Sequence, residues 1–140
     1  AIEKYLDTYR QTQPGLTVIF HHDGDISCVS RPVALFCYRM VQEGLTNIAR
    51  HAQAHTVTIE LHVLPSKLTL SVRDDGIGFS ADRAERARLD NHLGLVSMRE
   101  RTDVLNGTFA IDSHPGKGTT LTISLPLYLS EEEEHEHSLG

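Results

Sequence analysis

Tryptophan is absent from this chain of 140 residues, all aromatic residues together make up 6% of it, and cysteine occurs only twice. Cys28 and Cys37 do not have the spacing of metal ligands and nothing indicates a disulfide, so both thiols are expected to be reduced. No apolar run approaches the roughly 20 residues that cross a bilayer, and the N-terminus lacks a signal-peptide pattern. We therefore expect a cytoplasmic protein, or the cytoplasmic part of a longer membrane-anchored protein, since Ala1 is not a start methionine.

A surplus of basic residues is also missing. The formal net charge is -6, with 13 lysine and arginine residues against 19 aspartate and glutamate residues. Five of these acids lie in the segment Glu131–His137, and the remainder of the chain is nearly neutral. Without a basic face, no direct contact with nucleic acid is expected. Because a like-charged block is usually solvated, residues 1–129 are predicted to form one domain and residues 130–140 a disordered acidic tail.

Hydrophobic periodicity and turn residues predict three helices and six strands. The helices are Ala1–Gln13, Ser30–His55 and Leu93–Leu105, and the strands are Leu16–His22, Ile26–Val29, Thr56–Val63, Lys67–Asp74, Thr108–Asp112 and Thr119–Leu127. Ser80–Asn91 is polar and is predicted to be a mobile surface loop. Because strands and helices do not alternate regularly, the order favours an α+β fold, a two-layer sandwich in which a mixed sheet carries three helices on one face.

The segment Phe36–His55 is the helix around which the prediction is organised. Apolar residues at steps of three and four predict a buried stripe on it: Leu35, Tyr38, Val41, Leu45, Ile48 and Ala52. A polar stripe adjoins this one at four-residue spacing: Glu43, Asn47 and His51, with Arg50 beside it. An amide oxygen can hold Mg²⁺ together with phosphates, and a carboxylate one turn away can order or deprotonate a nucleophile. Taken singly, each of these residues also suits a polar helix edge.

Three glycine-containing segments follow this helix, and each has an ordinary structural interpretation beside a functional one. Asp74–Gly78 can hold an exocyclic amine on a carboxylate while its glycines approach a flat ligand, or it can be a simple turn. Gly94-Leu95 can offer free amides to phosphate at a helix start, or it can be only a loop–helix junction. Gly116–Thr120 on its own is best explained as a hairpin turn.

The order of these motifs resembles the ATP-binding catalytic domain of bacterial sensor histidine kinases, which belong to the superfamily of DNA gyrase, Hsp90 and MutL. The motifs are Gln42-Glu43-x-x-x-Asn47-x-x-x-His51-Ala52, Asp74-x-Gly76-x-Gly78, Gly94-Leu95-x-x-Met98-Arg99-Glu100-Arg101 and Gly116-x-Gly118-Thr119. The run Met98–Arg101 is most similar to the subfamily that signals to response regulators of the helix-turn-helix (NarL) type. The resemblance covers Ile2 to Leu127 and implies the two-layer Bergerat fold of these ATPases.

The resemblance also implies a role for each matching residue. Glu43 would be the general base for the attacking histidine or lie next to it, and Asn47 would ligate Mg²⁺ on the ATP phosphates. Asp74 would bind the adenine amine with support from Thr119 through water. The adenine pocket would be shaped by Gly76, Ile77, Gly78 and Phe79, and the phosphates would lie near Arg50 and His51. The lid over ATP would be Phe79–Leu93, which includes His92 and Leu93, and its phosphate end would be closed by Gly94 and Leu95.

Two departures from the family pattern qualify these implications. His92 stands where many relatives have glycine, which bears on the flexibility of the lid. In the relatives the phosphoacceptor is a histidine followed by an acid on a long dimerisation helix, and no such histidine is apparent here. His22-Asp23 runs into a turn, and His135-Glu136 lies in the acidic tail. The chain is therefore interpreted as a catalytic domain, expected to be monomeric, whose partners are the dimerisation domain of its parent kinase and a response regulator. The alternatives are a serine kinase of the anti-sigma type and a non-catalytic ATP-sensing or docking module.

Overall fold

A computed structural model describes residues 2–78 and 94–127. Its five strands are β1 (Thr17–Asp23), β2 (Thr56–Val63), β3 (Lys67–Asp74), β4 (Thr108–Ser113) and β5 (Thr119–Pro126). They form one mixed sheet in the order β1-β2-β3-β5-β4, in which β1 and β2 are parallel and the other neighbours are antiparallel. The predicted hairpin is confirmed with its predicted bounds, because the alternating residues of β2 and β3 leave one face apolar and buried.

The α-helices of the described residues are α1 (Ile2–Thr12), α2 (Arg31–Asn47) and α3 (Leu95–Val104). Their apolar side chains and those of the strands form one core, in which Leu6, Met40 and Met98 are completely buried. The α+β prediction is thus confirmed as three helices with a five-stranded mixed sheet. No described helix combines the length and the apolar character needed to span a bilayer.

Local signals explain where these helices begin and end. The Ser30 hydroxyl accepts a hydrogen bond from the Val33 amide at the start of α2, with proline in the first turn as predicted. Helix α3 is followed by Asn106 with a positive φ of 58° and by Gly107, whose amide donates to the Thr102 carbonyl at 3.0 Å. The start of α2 and the end of α3 therefore lie close to the positions that their capping residues predict.

Two local predictions are wrong. Ile26–Cys28 is a short 3₁₀ helix and not a strand, because the Asp25 carboxylate caps it by accepting from the Ser27 amide at 3.0 Å. Leu35, predicted to be core, is 51% exposed. The buried face of α2 is shifted in its first turns to Phe36, Cys37 and Met40.

The later part of the predicted stripe is confirmed, since Val41, Leu45 and Ile48 are buried. Tyr38 is half-buried and packs edge-on against Tyr5 of α1, with ring centroids 5.6 Å apart. Helix α2 thus contacts α1 on one side and the sheet on the other, and its buried face is wider than one stripe. The side chain of Ala52, the last member of that stripe, lies outside the described part.

Helix α2 changes its hydrogen-bonding pattern directly after Asn47. Residues Ile48–Ala52 form a π-helical turn, and Gln53 then ends the helix in a left-handed conformation with φ 51°. The helical segment therefore ends at Ala52, three residues before the predicted limit at His55. Single π-turns are frequent at functional sites, and this one carries Arg50 and His51.

Candidate functional site

The site is built around Asp74, the last residue of β3. Its side chain is buried, and its Oδ1 accepts a hydrogen bond from the Gly76 amide at 2.8 Å. Burial raises the pKa of the Asp74 carboxyl above its ordinary value, backbone amides of Gly76 and Thr119 oppose this rise, and the negative charge of Asp75 adds to it. A carboxyl group is thus held at the end of the central strand with further acceptor capacity for a ligand.

Two glycines bring the segments on either side of this carboxyl into backbone contact. Gly78 has φ 63°, and a Cβ atom there would lie 2.1 Å from the carbonyl oxygen of His114. Gly118 has φ 76°, and a Cβ atom there would lie 2.1 Å from the carbonyl oxygen of Asp74. Between them the Gly116 amide donates to the Ile77 carbonyl at 2.7 Å. The segments 74–78 and 113–119 therefore form one unit, and a side chain at position 78 or 118 would force their backbones to shift.

The neighbouring carboxylate, Asp75, has a different task. Its Oδ1 accepts hydrogen bonds from the amides of His55 at 2.8 Å and Thr56 at 2.9 Å, at the start of β2. These two amides, Thr56 first, lower the pKa of the Asp75 carboxyl below its ordinary value. Sequence reasoning attached no role to Asp75, because an Asp-Gly pair is commonly explained as a turn. Asp75 anchors the chain between α2 and β2, whereas Asp74 serves the site.

A second residue that sequence reasoning missed is Ser113, at the end of β4. Its side chain is buried, its Oγ donates to the Gly118 carbonyl at 3.2 Å, and the same Oγ lies 2.7 Å from Oγ1 of Thr119. Ser113 pairs with Thr119 across β4 and β5, while Thr119 pairs with Asp74 across β5 and β3. Three polar side chains thus follow one another across the ends of neighbouring strands. Only the strand register reveals this row, and periodicity in a single sequence does not determine that register.

Glu43 and Asn47 lie on successive turns of α2, as their spacing predicts. Both are half-buried, and α2 meets the sheet beside them, since a Cβ atom on Gly44 would lie 3.6 Å from Cγ1 of Val72. Val72 stands two residues before Asp74 on β3. This contact packs α2 on β3 two residues before the buried carboxyl.

The Glu43 carboxylate has a partner that the sequence did not indicate. Its Oε1 accepts a hydrogen bond at 2.7 Å from Nη1 of Arg101 on α3. Both side chains are more than one-third exposed. The hydrogen bond uses Oε1 alone, and it links α2 to the helix that begins with the second glycine motif.

The remaining predicted residues differ in how they are placed. Arg50 is exposed on the π-turn, and Ile77 is 49% exposed beside Gly76. Gly94 has φ 70° at the start of α3, and no atom of the described residues would lie within 4 Å of a Cβ atom there, whereas the Leu95 side chain belongs to the core. A nucleotide at this helix end would therefore meet backbone of Leu95 rather than its side chain.

Several predicted features lie outside the described residues. They are Phe79, His92 and Leu93, the lid Phe79–Leu93, the side chain of His51 and the acidic tail 130–140. Among residues 2–78 and 94–127, no group of three histidine, cysteine, aspartate or glutamate side chains could hold a metal ion. The described site therefore consists of the buried Asp74 carboxyl with its glycines, Ser113 and Thr119, and of the Glu43–Asn47 turn.

Comparison with known sequences agrees with the motif order. Residues 33–129 match the profile of a family described as histidine kinase-, DNA gyrase B- and HSP90-like ATPases. The chain is 34% identical over 130 residues to the histidine-protein kinase/phosphatase DegS of Brevibacillus brevis, with 93% of this chain and 32% of that protein covered. It is 33% identical over 135 residues to the sensor histidine kinase LiaS of Bacillus subtilis, with 96% and 36% covered. The chain thus spans about a third of the length of these relatives.

Solved structures show the same fold at lower sequence identity. The histidine kinase domain of the blue-light activated kinase EL346 of Erythrobacter litoralis superposes with a TM-score of 0.69 at 22% identity, covering 90% of this chain and 59% of that one. The mycobacterial sensor histidine kinase MprB gives a TM-score of 0.64 at 20% identity, covering 91% and 93%. Helices and strands therefore follow the architecture of histidine kinase catalytic domains.

Proposed function

Since the chain belongs to the family of histidine kinase-, DNA gyrase B- and HSP90-like ATPases, as the catalytic domain found in sensor histidine kinases, we propose that it binds Mg-ATP and transfers the γ-phosphoryl group to a histidine. The acceptor would stand on a separate dimerisation domain of the parent kinase. From there the phosphoryl group would pass to a response regulator, of the helix-turn-helix class that the run Met98–Arg101 suggests. Such a domain would act in the cytoplasm, where ATP is available.

The observation that carries this proposal is the buried Asp74 carboxyl within its glycine framework. A buried carboxyl is unfavourable unless hydrogen-bond donors compensate it, and an exocyclic amine is such a donor. The close backbone packing at Gly78 and Gly118 leaves no side chain at those positions to obstruct a planar base. The residues present therefore fit an adenine ring at the end of β3.

The polar turn of α2 suits the phosphate end of the same ligand. Asn47 offers an amide oxygen, a ligand type that Mg²⁺ accepts beside phosphates and water. When bound, Mg²⁺ would neutralise charge on the phosphates, which is a large part of what phosphoryl transfer needs. Arg50 and His51 follow Asn47 on the π-turn and would lie near the phosphates. Gly94 and Leu95 would offer amides at the start of α3.

Glu43 would order the incoming imidazole or accept its proton. Its spacing from Asn47 sets the carboxylate one helical turn from the proposed metal ligand. Arg101 holds Oε1 of this carboxylate, so Oε2 would be the oxygen that faces the imidazole. Glu43→Gln should abolish transfer and leave ATP binding intact.

The experiment is calorimetry of Mg-ATP binding to the 140-residue chain and its Asp74→Asn and Asn47→Asp variants. We expect Asp74→Asn to lose binding and Asn47→Asp to change the dependence on Mg²⁺, while Asp103→Asn on α3 serves as the charge-matched control. Because burial opposes ionisation of Asp74, Asp74→Asn should unfold at no lower temperature than the wild type. A folded wild-type chain that binds no ATP would overturn the proposal and favour a docking module.

A serine acceptor is the second chemistry compatible with this site. Kinases of the anti-sigma type share a similar asparagine helix, but the run Met98–Arg101 and the sensor kinases among the relatives favour histidine. Acid and base treatment of the phosphorylated acceptor distinguishes the two, since phosphohistidine is acid-labile and phosphoserine is not. An acid-stable product would exclude the histidine kinase assignment.

A further inference from the structure

We propose that Ser113 is a positioning residue that sets the nucleobase specificity of the site, by fixing the hydroxyl of Thr119 as a hydrogen-bond acceptor towards the base. The inference rests on the proposed function and deepens it, since the ligand class is a purine nucleotide with an amino group at position 6. Ser113 belongs to none of the motifs by which the sequence was interpreted. Its assignment comes from the hydrogen bonds at the ends of β4 and β5.

The argument begins with the single proton of the Ser113 hydroxyl. A carbonyl oxygen can only accept, so the hydrogen bond to Gly118 at 3.2 Å requires Ser113 to donate. The 2.7 Å contact with Thr119 then requires Thr119 to donate and the Ser113 oxygen to accept. The Thr119 proton is thereby directed towards Ser113, and the lone pairs of its oxygen remain for another donor.

Burial makes this direction durable. The Ser113 residue is only 4% exposed, so water does not compete freely for its hydrogen bonds. Reversing them would remove the shorter of the two hydrogen bonds to the Gly118 carbonyl, which lies 3.2 Å from the Ser113 hydroxyl and 3.5 Å from the His114 amide. The low exposure of Ser113 therefore holds the hydroxyl pair in one orientation.

The consequence concerns the chemistry of the base. Thr119 stands opposite Asp74 in the strand register, so its oxygen and the Asp74 carboxylate both act as acceptors on the same side of the pocket. Two acceptors match the two protons of a 6-amino group, directly or through one water. A 6-oxo group can only accept hydrogen bonds, so it could not pair with these two acceptors. The row Ser113–Thr119–Asp74 thus selects an aminopurine over an oxopurine.

The test compares the affinities of ATP and inosine triphosphate, which differ at position 6 and the adjoining ring nitrogen, by calorimetry on the 140-residue chain with Mg²⁺. In Ser113→Ala the Thr119 hydroxyl loses its acceptor and can turn its proton to an oxo group. We expect the ratio of the two affinities to fall by about three- to tenfold. Thr119→Val should lower the ratio similarly, Thr119→Ser should preserve it, and the double variant should add little to either single change.

Ser124→Ala provides the matched control, because Ser124 is a half-buried serine farther along β5. A purely structural role of Ser113 would change thermal unfolding or both affinities together and leave their ratio as in the wild type. An unchanged ratio in Ser113→Ala overturns the inference, and an unchanged ratio in Thr119→Val does so if Ser113→Ala does not fold. Absence of ATP binding by the wild type would instead overturn the proposed function.

Discussion

Replacing Gly118 by alanine is the sharpest test of how the pocket is built. Gly118 has φ 76°, and the new Cβ atom would lie 2.1 Å from the backbone carbonyl oxygen of Asp74, 3.0 Å from the carbon of that carbonyl and 3.1 Å from Cα of Asp75. All three are backbone atoms, so no side-chain rotation can relieve the contact. The left-handed conformation costs alanine about 1–2 kcal/mol, and overpacking adds about 1–3 kcal/mol. We expect a loss of roughly 2–5 kcal/mol in the free energy of unfolding.

Gly116→Ala is the matched control in the same turn. Gly116 has a similar φ of 77°, but a Cβ atom there would meet no atom of residues 2–78 and 94–127 within 4 Å, so only the conformational penalty is expected. Urea unfolding of both variants measures the difference, and calorimetry with Mg-ATP should show weaker binding in Gly118→Ala alone, because its backbone must shift at Asp74. Equal destabilisation of the two variants, with ATP affinity unchanged, would refute the proposed packing of the two glycine segments.

Two further predictions concern charged groups. The pKa of Asp75 lies below its ordinary value. The ionised carboxylate therefore stabilises the fold at any pH above that ordinary value, and this contribution is lost as the pH falls through the lowered pKa. Asp75→Asn should remove this part of the acid dependence of unfolding. An acid limb identical to the wild type would contradict the anchoring of His55 and Thr56. The exposed Glu43–Arg101 pair should show a coupling of about 0.2–1 kcal/mol in a double-mutant cycle of unfolding, and a coupling above roughly 2 kcal/mol would show that it is a structural clamp.

The elements that local patterns determine could be predicted from the sequence. Alternation marked β2 and β3 to the residue, because one face of each strand packs on the core. Ser30 and Asn106-Gly107 marked helix limits, because capping is a local interaction. Asp74 was singled out from the order of motifs; the structure shows that it is buried at the end of β3, and its role in adenine binding stays a prediction.

What the sequence could not indicate depends on packing between distant segments. Leu35 has the spacing of a core residue, yet the orientation of α2 between α1 and the sheet leaves it exposed. The partners of Glu43, Asp75 and Ser113 come from other elements, from α3, from the start of β2 and from β5. Such contacts follow from the strand register and the helix orientation, which single-sequence periodicity does not determine.

The parallel strand β1 has a practical consequence for where this domain can be cut. The family profile begins at residue 33 and so excludes α1 and β1. However, β1 pairs along its length with β2, the fully buried Leu6 anchors α1 in the core, and the Arg10 guanidinium donates to the Val18 carbonyl at 2.9 Å. A polypeptide trimmed to the profile would leave β2 as an unpaired edge with open amides and carbonyls, which recruits other chains. Expression of residues 33–129 alone should therefore give aggregates, and the smallest soluble unit should include all of α1.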